Sequence, residues 1–207
     1  MNLKPKIFER SPFAYRISHT DMQATSCLAE QLVNLLPKNG RPIVIVCIGT
    51  DRSTGDSLGP IAGSKFASYS SKKHFHLYGH LDEPVHALNL EETIQTIHQK
   101  HTNPFIIAVD ASLGRAKNIG ILNLKEGPVK PGAAMNKQLP EVGDIHITGI
   151  VNVSGFMEFF VLQNTRLNLV MAMAETIGDS LALAEKRYSR QNRFPRINLR
   201  VHNESTL

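Results

Sequence analysis

The 207-residue chain has two cysteines, no tryptophan and only 6% aromatic residues. Cys27 and Cys47 lie too far apart in the sequence to form a CxxC pair, and they do not make up a zinc ligand set. No stretch reaches the roughly 18 apolar residues that a membrane span requires. Residues 1–13, MNLKPKIFERSPF, lack the apolar core of a signal peptide. We therefore expect a soluble cytoplasmic protein with no membrane partner.

Acidic residues are outnumbered by basic ones, which gives a formal net charge of +5 and a pI near 9.3. Such a balance favours acidic partners, but it is also common among proteins that bind no nucleic acid. The most basic stretch is 186–200, KRYSRQNRFPRINLR, where Tyr188 and Phe194 are aromatic side chains of the kind that stack on bases. A run of charge is more often a solvated tail or a subunit contact. We therefore expect no nucleic-acid partner.

The hydrophobic content of 42% is enough for the core of one domain of this length. In the first half, apolar β-branched runs alternate with segments of helical spacing, which is the pattern of βαβ units and a parallel sheet. Strands are predicted at 43–48, 74–79, 105–109, 119–124 and 167–173. Helices are predicted at 20–36, 57–69, 89–100, 155–164 and 176–187.

The remaining segments complete the predicted organisation. The strand at 119–124 follows Asp110 too closely for a helical crossover, so we expect it to be antiparallel. Segment 125–143 contains several prolines and glycines and is predicted to be a long functional loop. Residues 1–17 are interpreted as an N-terminal arm, 18–190 as a single domain and 191–207 as a basic C-terminal tail.

Two predicted strands end in aspartates. The run at 43–48 opens into the glycine-rich loop GTDRSTGDSLGP at 49–60, which carries Asp51 and Asp56, and the run at 105–109 is followed by Asp110. Ligands of parallel sheets collect at the carboxyl ends of the strands. If the two strands are neighbours, the carboxyls of Asp56 and Asp110 should lie within about 8 Å of each other, with Asp110 the more buried. One carboxyl would then hold a proton, so that the pair supplies an acid and a base.

Other types of site fit less well. The loop at 49–57 lacks the lysine of a phosphate-binding loop, no GxGxxG follows a strand, and Ser154 lacks the first glycine of a nucleophile elbow. Structural roles stay open for both aspartates, because Asp56 could cap the next helix and Asp110 could bond backbone amides. Asp51 competes with Asp56 for the first catalytic role. Further candidates lie in a turn after the second strand: His80, Asp82 and His86.

Four motifs together resemble the sporulation protein YyaC family (DUF1256). They are GTDRSTGDSLGP at 49–60, YGHLDEPVHALNL at 78–90, AVDASLG at 108–114 and PGAAMNKQLPEVGDIHITGIVNVSGF at 131–156. That family is similar to the germination protease GPR and to the HybD-like hydrogenase maturation proteases. The resemblance implies a phosphorylase/hydrolase-like α/β fold. This is a three-layer α/β/α sandwich around a mostly parallel five-stranded sheet of order 2-1-3-5-4, with strand four antiparallel.

The resemblance also implies a function. The two functional aspartates of the germination protease fall on Asp56 and Asp110. The resemblance therefore implies a spore peptidase that acts on small acid-soluble spore proteins or another spore polypeptide. Residues expected to contact the substrate are Asp51, His80, Asp82, Ser112 and Asn152. In the hydrogenase relatives carboxylates at similar positions bind a metal, but their histidine ligand has no match here. Asn152 and His146 are the nearest positions, so no metal or other cofactor is assigned.

The implied protein is a homo-oligomer of the cytoplasm, in the forespore or spore core. The alternative is a non-catalytic sporulation factor that keeps the peptidase-like fold and binds a protein partner. Discrete cuts in a spore protein would favour the first interpretation, and co-purification without cuts would favour the second.

Overall fold

The computed structural model describes residues 12–69, 74–132 and 139–193. Its strands are β1 Ala14–Ser18, β2 Ile43–Cys47, β3 Phe75–Tyr78, β4 Phe105–Gly114, β5 Ile121–Glu126 and β6 Ile145–Val153. Its helices are α1 Ala24–Leu35, α2 Leu58–Ala67, α3 Leu90–Lys100, α4 Glu158–Gln163 and α5 Leu167–Arg193, with a short 3₁₀ helix at Ala116–Asn118.

The strands form one six-stranded sheet of order β1-β5-β6-β4-β2-β3. Strands β3, β2, β4 and β6 run parallel, whereas β5 is antiparallel to β6 and β1 is antiparallel to β5. Without β1, this is the expected order 2-1-3-5-4 with its fourth strand antiparallel. The predicted α/β class is confirmed, and strands β2 and β4 are the neighbours that convergence of their loops requires.

The identity of the fifth strand was predicted wrongly. Residues 167–173 belong to helix α5, and the last parallel strand is β6. The run LNLVMAM is short and apolar, so its sequence alone does not distinguish a strand from a helix. Its burial decides the matter: Val170 and Met173 are fully buried, whereas Leu167 and Met171 are exposed, which is a helical period.

The N-terminal arm was also predicted wrongly in part, because β1 occupies residues 14–18. It pairs with β5 from Ala14↔Lys125 to Ser18↔Ile121. An isolated AYRIS segment carries little strand signal, and its order comes from a partner far along the chain. At the other end, residues 191–193 of the predicted tail belong to α5, and 194–207 lie outside the described residues.

Helices cover both faces of the sheet. A large apolar cluster joins α1, α2 and α5 to one face, and a smaller one joins α3 to the other. Every residue of β2 is buried, as expected for a central strand with helices on both sides. The molecule is therefore an α/β/α sandwich, and its ligand-accessible edge lies where the parallel strands end.

Helix α5 packs within the larger apolar cluster through Ile177, Leu181 and Ala184. Contrary to the sequence-based expectation, its segment Leu167–Gln191 is long and apolar enough to cross a membrane. That criterion rests on length and composition, and the core helix of a soluble protein meets it too. The buried side chains give the helix a role in the core.

Candidate active site

A cleft of about 550 Å³ opens at the carboxyl ends of β2 and β4. It exists because the two strands differ in length. Strand β4 continues to Gly114, whereas β2 ends at Cys47 and its chain turns away at Gly49. The charged residues that line the cleft are Asp51, Arg52, Asp56, Asp110, Lys130 and Glu158.

The loop at 49–57 is held by close backbone contacts. The N–H of Thr50 donates to the Asp56 carbonyl at 3.2 Å, and the N–H of Gly55 donates to the Leu162 carbonyl of α4 at 2.9 Å. Gly49 has a φ of +148°, and a Cβ there would lie 1.9 Å from the Asp56 carbonyl oxygen. Glycine is thus required at this position, and the contact fixes where Asp56 stands.

Asp56 lines the cleft and is not the N-cap residue of α2. Ser57 occupies the N-cap position, and its side chain makes no cap bond. Burial raises the pKa of Asp56, and the hydroxyl of Ser53 lowers it. That hydroxyl is itself buried and lies outside ordinary hydrogen-bond geometry with any group of the described residues.

Asp110 stands where β4 loses its neighbour β2. Its backbone pairs with Thr148 of β6, and the preceding residue, Val109, forms the last pair with β2, opposite Cys47. The Asp110 Oδ1 atom accepts a 2.8 Å hydrogen bond from the N–H of Ala111. Burial raises the pKa of Asp110 from 3.8 to about 8; the Ala111 bond opposes this rise, and the charge of Asp56 adds to it.

The structure therefore brings both aspartates into one cleft, close enough for the charge of one to act on the other. With a pKa of about 8, Asp110 carries its proton at neutral pH in most molecules. A protonated carboxyl donates and an ionised one accepts, so two carboxyls in unlike surroundings can divide acid and base roles.

Two of the residues predicted to contact substrate also line the cleft. Asp51 lies on the same loop as Asp56 and is exposed. Ser112 lies on β4, and its hydroxyl donates to the Gly149 carbonyl of β6 at 3.2 Å.

The other three stand elsewhere. His80 and Asp82 occupy a turn outside the lining, where the His80 Nδ1 lies 3.8 Å from the Asp82 Oδ2. Asn152 holds α4 in place: its Nδ2 donates to the Val161 carbonyl and to the Thr165 Oγ1, both at 3.2 Å.

Further lining residues were not selected from the sequence. Thr148 lies opposite Asp110 in the β4–β6 ladder, and recognising β6 as a strand would have revealed it. Glu158 lies at the start of α4 and accepts a bond from the Gly155 N–H at 3.0 Å. His86, a weaker candidate in the sequence, lines the cleft, and its Nδ1 accepts from the Leu88 N–H at 3.2 Å, so the neutral ring carries its proton on Nε2.

The described residues contain no group of three or more His, Cys, Asp or Glu side chains arranged to hold a metal ion. Of the two positions nearest to the missing histidine ligand, Asn152 is engaged with α4. His146 bonds the Gly127 carbonyl through Nδ1 at 2.8 Å, and burial lowers its pKa.

Comparison with known proteins gives the family. A model described as "Protein of unknown function (DUF1256)" matches residues 16–180. The chain belongs to the DUF1256 family. The relative YyaC of Bacillus subtilis (strain 168), described as an uncharacterized protein, is 56% identical over 179 residues, which are 86% of this chain and 87% of YyaC. The resemblance read from the four motifs is thereby confirmed.

A solved structure shares the fold of this DUF1256 member. It is the NiFe hydrogenase maturation protease HycI from Thermococcus kodakarensis KOD1, with a TM-score of 0.50 and 16% identity over 75% of this chain and 99% of HycI. At that identity the likeness shows the fold alone. The DUF1256 chain thus has a peptidase-like fold.

Proposed function

We propose that the protein is a spore peptidase of the germination-protease type, which hydrolyses peptide bonds of spore proteins through Asp56 and Asp110. The observation that carries the proposal is the unlike state of two carboxyls in one cleft. Burial keeps Asp110 protonated near neutral pH. Burial also raises the pKa of Asp56, but the Ser53 hydroxyl opposes that rise. The peptidase-like fold and the family resemblance support it.

The proposed reaction uses one water molecule. Ionised Asp56 takes a proton from the water as its oxygen attacks the amide carbonyl carbon and forms the new C–O bond. Protonated Asp110 then gives its proton to the amide nitrogen as the C–N bond breaks. Proton transfer from Asp56 to Asp110 restores the starting state, so a new carboxylic acid and a new amine leave the site.

The test uses purified protein and purified small acid-soluble spore proteins, the substrate class that the family resemblance implies. New peptide termini are identified by mass spectrometry after incubation. We expect discrete cuts that Asp110→Asn abolishes. If the wild type and Asp110→Asn gave identical digests, the proposal would be overturned.

The alternative function, a non-catalytic sporulation factor, is favoured by one surface feature. Apolar side chains are exposed just before and within α4, including Phe156 at 81% and Phe160 at 52%. Exposed aromatic patches mark sites of protein association. This alternative predicts that spore proteins co-purify with the chain and remain uncut.

A further inference from the structure

On the side of β4 that faces β2, the described residues provide no strand partner beyond Val109. The ladder with β2 ends at Cys47↔Val109, whereas the ladder with β6 continues to Gly114↔Val153. Within residues 12–69, 74–132 and 139–193, no strand takes the place of β2 beside Asp110–Gly114. The cleft occupies this place, which we call the open lane.

The backbone groups that face the open lane follow from the alternation along a strand. The Val109 carbonyl accepts from the Ile48 N–H at 2.7 Å on the β2 side, and the Gly114 carbonyl accepts from the Ser154 N–H at 2.9 Å on the β6 side. Ala111 and Leu113 therefore point their backbone groups into the lane. The register shift near Ser112 leaves this unchanged, because the extra residue, Val151, lies on β6.

These groups match a peptide backbone. The Ala111 N–H is bonded to the Asp110 carboxyl. Among the described residues no group is bonded to the Ala111 carbonyl or to the N–H and carbonyl of Leu113, so these groups remain to face a ligand. On the opposite wall of the cleft these backbone groups are already bonded. The Val85 carbonyl accepts from the Gly49 N–H, and the Leu88 N–H donates to the ring of His86. Donors and acceptors two residues apart along a strand edge bind another extended chain.

We propose that the substrate polypeptide binds in the open lane as an extended strand, hydrogen-bonded to Ala111 and Leu113 of β4. This inference rests on the proposed peptidase function. The lane begins beside Asp110, so a strand bound there passes its peptide groups along the acidic pair. Main-chain recognition requires an unfolded segment and places few demands on its sequence.

The first experiment measures amide hydrogen exchange at single residues, with Asp110→Asn protein and purified small acid-soluble spore proteins as the probe. We expect exchange at the Leu113 N–H to slow by about tenfold or more on binding, as for a newly bonded amide. The Ser112 N–H faces β6 and serves as the internal control, whose exchange should stay constant.

The outcomes separate the two proposals. Cleavage by the wild type with no change at Leu113 overturns the strand inference alone. The absence of both cleavage and binding overturns the proposed function and this inference with it. Protection of Leu113 in the protein without probe overturns the inference, because the chain itself would then fill the lane.

A pair of variants provides a second readout in the wild-type background. Leu113→Pro removes the N–H that faces the lane, a change that strand edges tolerate, and Leu113→Ala removes side-chain atoms but keeps the N–H. We expect the KM for the spore proteins to be about threefold to tenfold higher for Leu113→Pro than for Leu113→Ala, as for the loss of one hydrogen bond. Equal KM values would overturn the inference.

Discussion

Asp56 and Asp110 are the same residue type in unlike surroundings, and those surroundings give them different proposed roles. Asp110 belongs to a strand, is half-buried and accepts one backbone N–H. Asp56 belongs to a loop and has the Ser53 hydroxyl nearby. Burial disfavours the charged form of a carboxyl, and a nearby donor favours it. The Asp56 carboxyl is therefore the better base.

Substitution of either aspartate by asparagine should remove cleavage and leave the fold intact. Asparagine keeps the shape but does not exchange protons, so we expect kcat/KM to fall by about a hundredfold or more for Asp56→Asn and for Asp110→Asn. Asp51→Asn, in the same loop and cleft, is the matched comparison, because Asp51 is the competing candidate for the base role. Assays on spore proteins and thermal melting check this. A loss for Asp51→Asn with full activity for Asp56→Asn would transfer the base role to Asp51.

The stability of the protein should depend on pH through Asp110. Its folded-state pKa of about 8 is above the ordinary 3.8, so the folded form retains a proton that the unfolded chain releases. This retained proton therefore stabilises the folded state fully below pH 4, and the stabilisation is lost as pH rises from 4 to 8. Asp110→Asn has no such loss. Its stability relative to wild type should increase from pH 4 to 8, on the order of a few kcal/mol.

Urea denaturation of wild type and Asp110→Asn across that pH range measures this difference. A constant difference would show that Asp110 titrates alike in the folded and unfolded states. The burial argument for a protonated acid would then fail.

At the scale of elements, the short helix α4 closes one side of the cleft through few contacts. Leu162 is buried and contacts Gly55, where a Cβ would lie 2.7 Å from the leucine Cδ2. Asn152 ties the end of β6 to α4 and to Thr165. Helix α4 thus supports the loop that carries Asp56, and Asn152 holds α4 in place.

Replacing Asn152 by alanine should destabilise the protein. The change removes three hydrogen bonds, two donated by Nδ2 and one that Oδ1 accepts from the Val153 N–H at 2.9 Å. It leaves the half-buried Val161 carbonyl without one of its donors, so we expect a loss of about 1–3 kcal/mol in the free energy of unfolding. Asn164→Ala is the matched control, because within the described part of the chain that exposed side chain bonds only the Phe160 carbonyl, and it should change stability by less than about 1 kcal/mol. If Asn152 instead binds substrate, its loss would raise KM without lowering stability.

The elements that could be predicted from sequence are those with strong local patterns. The run of β2 and the amphipathic α3 were found close to their observed bounds. Strand β6 was missed because IHITGIVNV mixes apolar residues with His, Thr, Gly and Asn. The convergence of the two carboxyls could be predicted because Asp56 lies in the loop after β2, and Asp110 follows the apolar run of the neighbouring strand β4. The positions of His80 and Asn152 depend on a turn and on a helix contact that no local pattern encodes.

At the scale of the whole molecule, the positive net charge raises the question of nucleic acid. In the described part of the chain, Tyr188 from the basic stretch is buried, and its hydroxyl donates to the Pro37 carbonyl at 2.6 Å. A tyrosine in this position is unavailable for stacking on bases. Arg196 and Arg200, with Phe194, lie outside the described residues.

We expect no nucleic-acid binding of physiological strength. Fluorescence anisotropy with labelled DNA at several salt concentrations checks this, because each neutralised phosphate releases counterions and makes affinity fall with salt. A submicromolar complex that weakens steeply with salt and is lost on replacing Arg190 and Arg193 would contradict the expectation.

The chain is also expected to associate with itself. Light scattering should then give a mass above the 23.0 kDa of one chain. We expect the contact between copies to involve the exposed apolar side chains of Phe156 and Phe160, since burying such patches drives association. A monomer whose mass does not change with concentration would leave that surface to a different protein partner.

The pairing of β1 with β5 has a consequence for the order in which the molecule is assembled on the ribosome. The Phe13 N–H donates to the Glu126 carboxylate at 2.7 Å across a separation of 113 residues, and the β1–β5 ladder continues from there. Strand β1 thus waits for a partner that is synthesised much later. Such distant pairings slow folding. The nascent chain therefore carries β1 as an unpaired segment until β5 emerges, and that is the period in which aggregation competes with completion of the sheet.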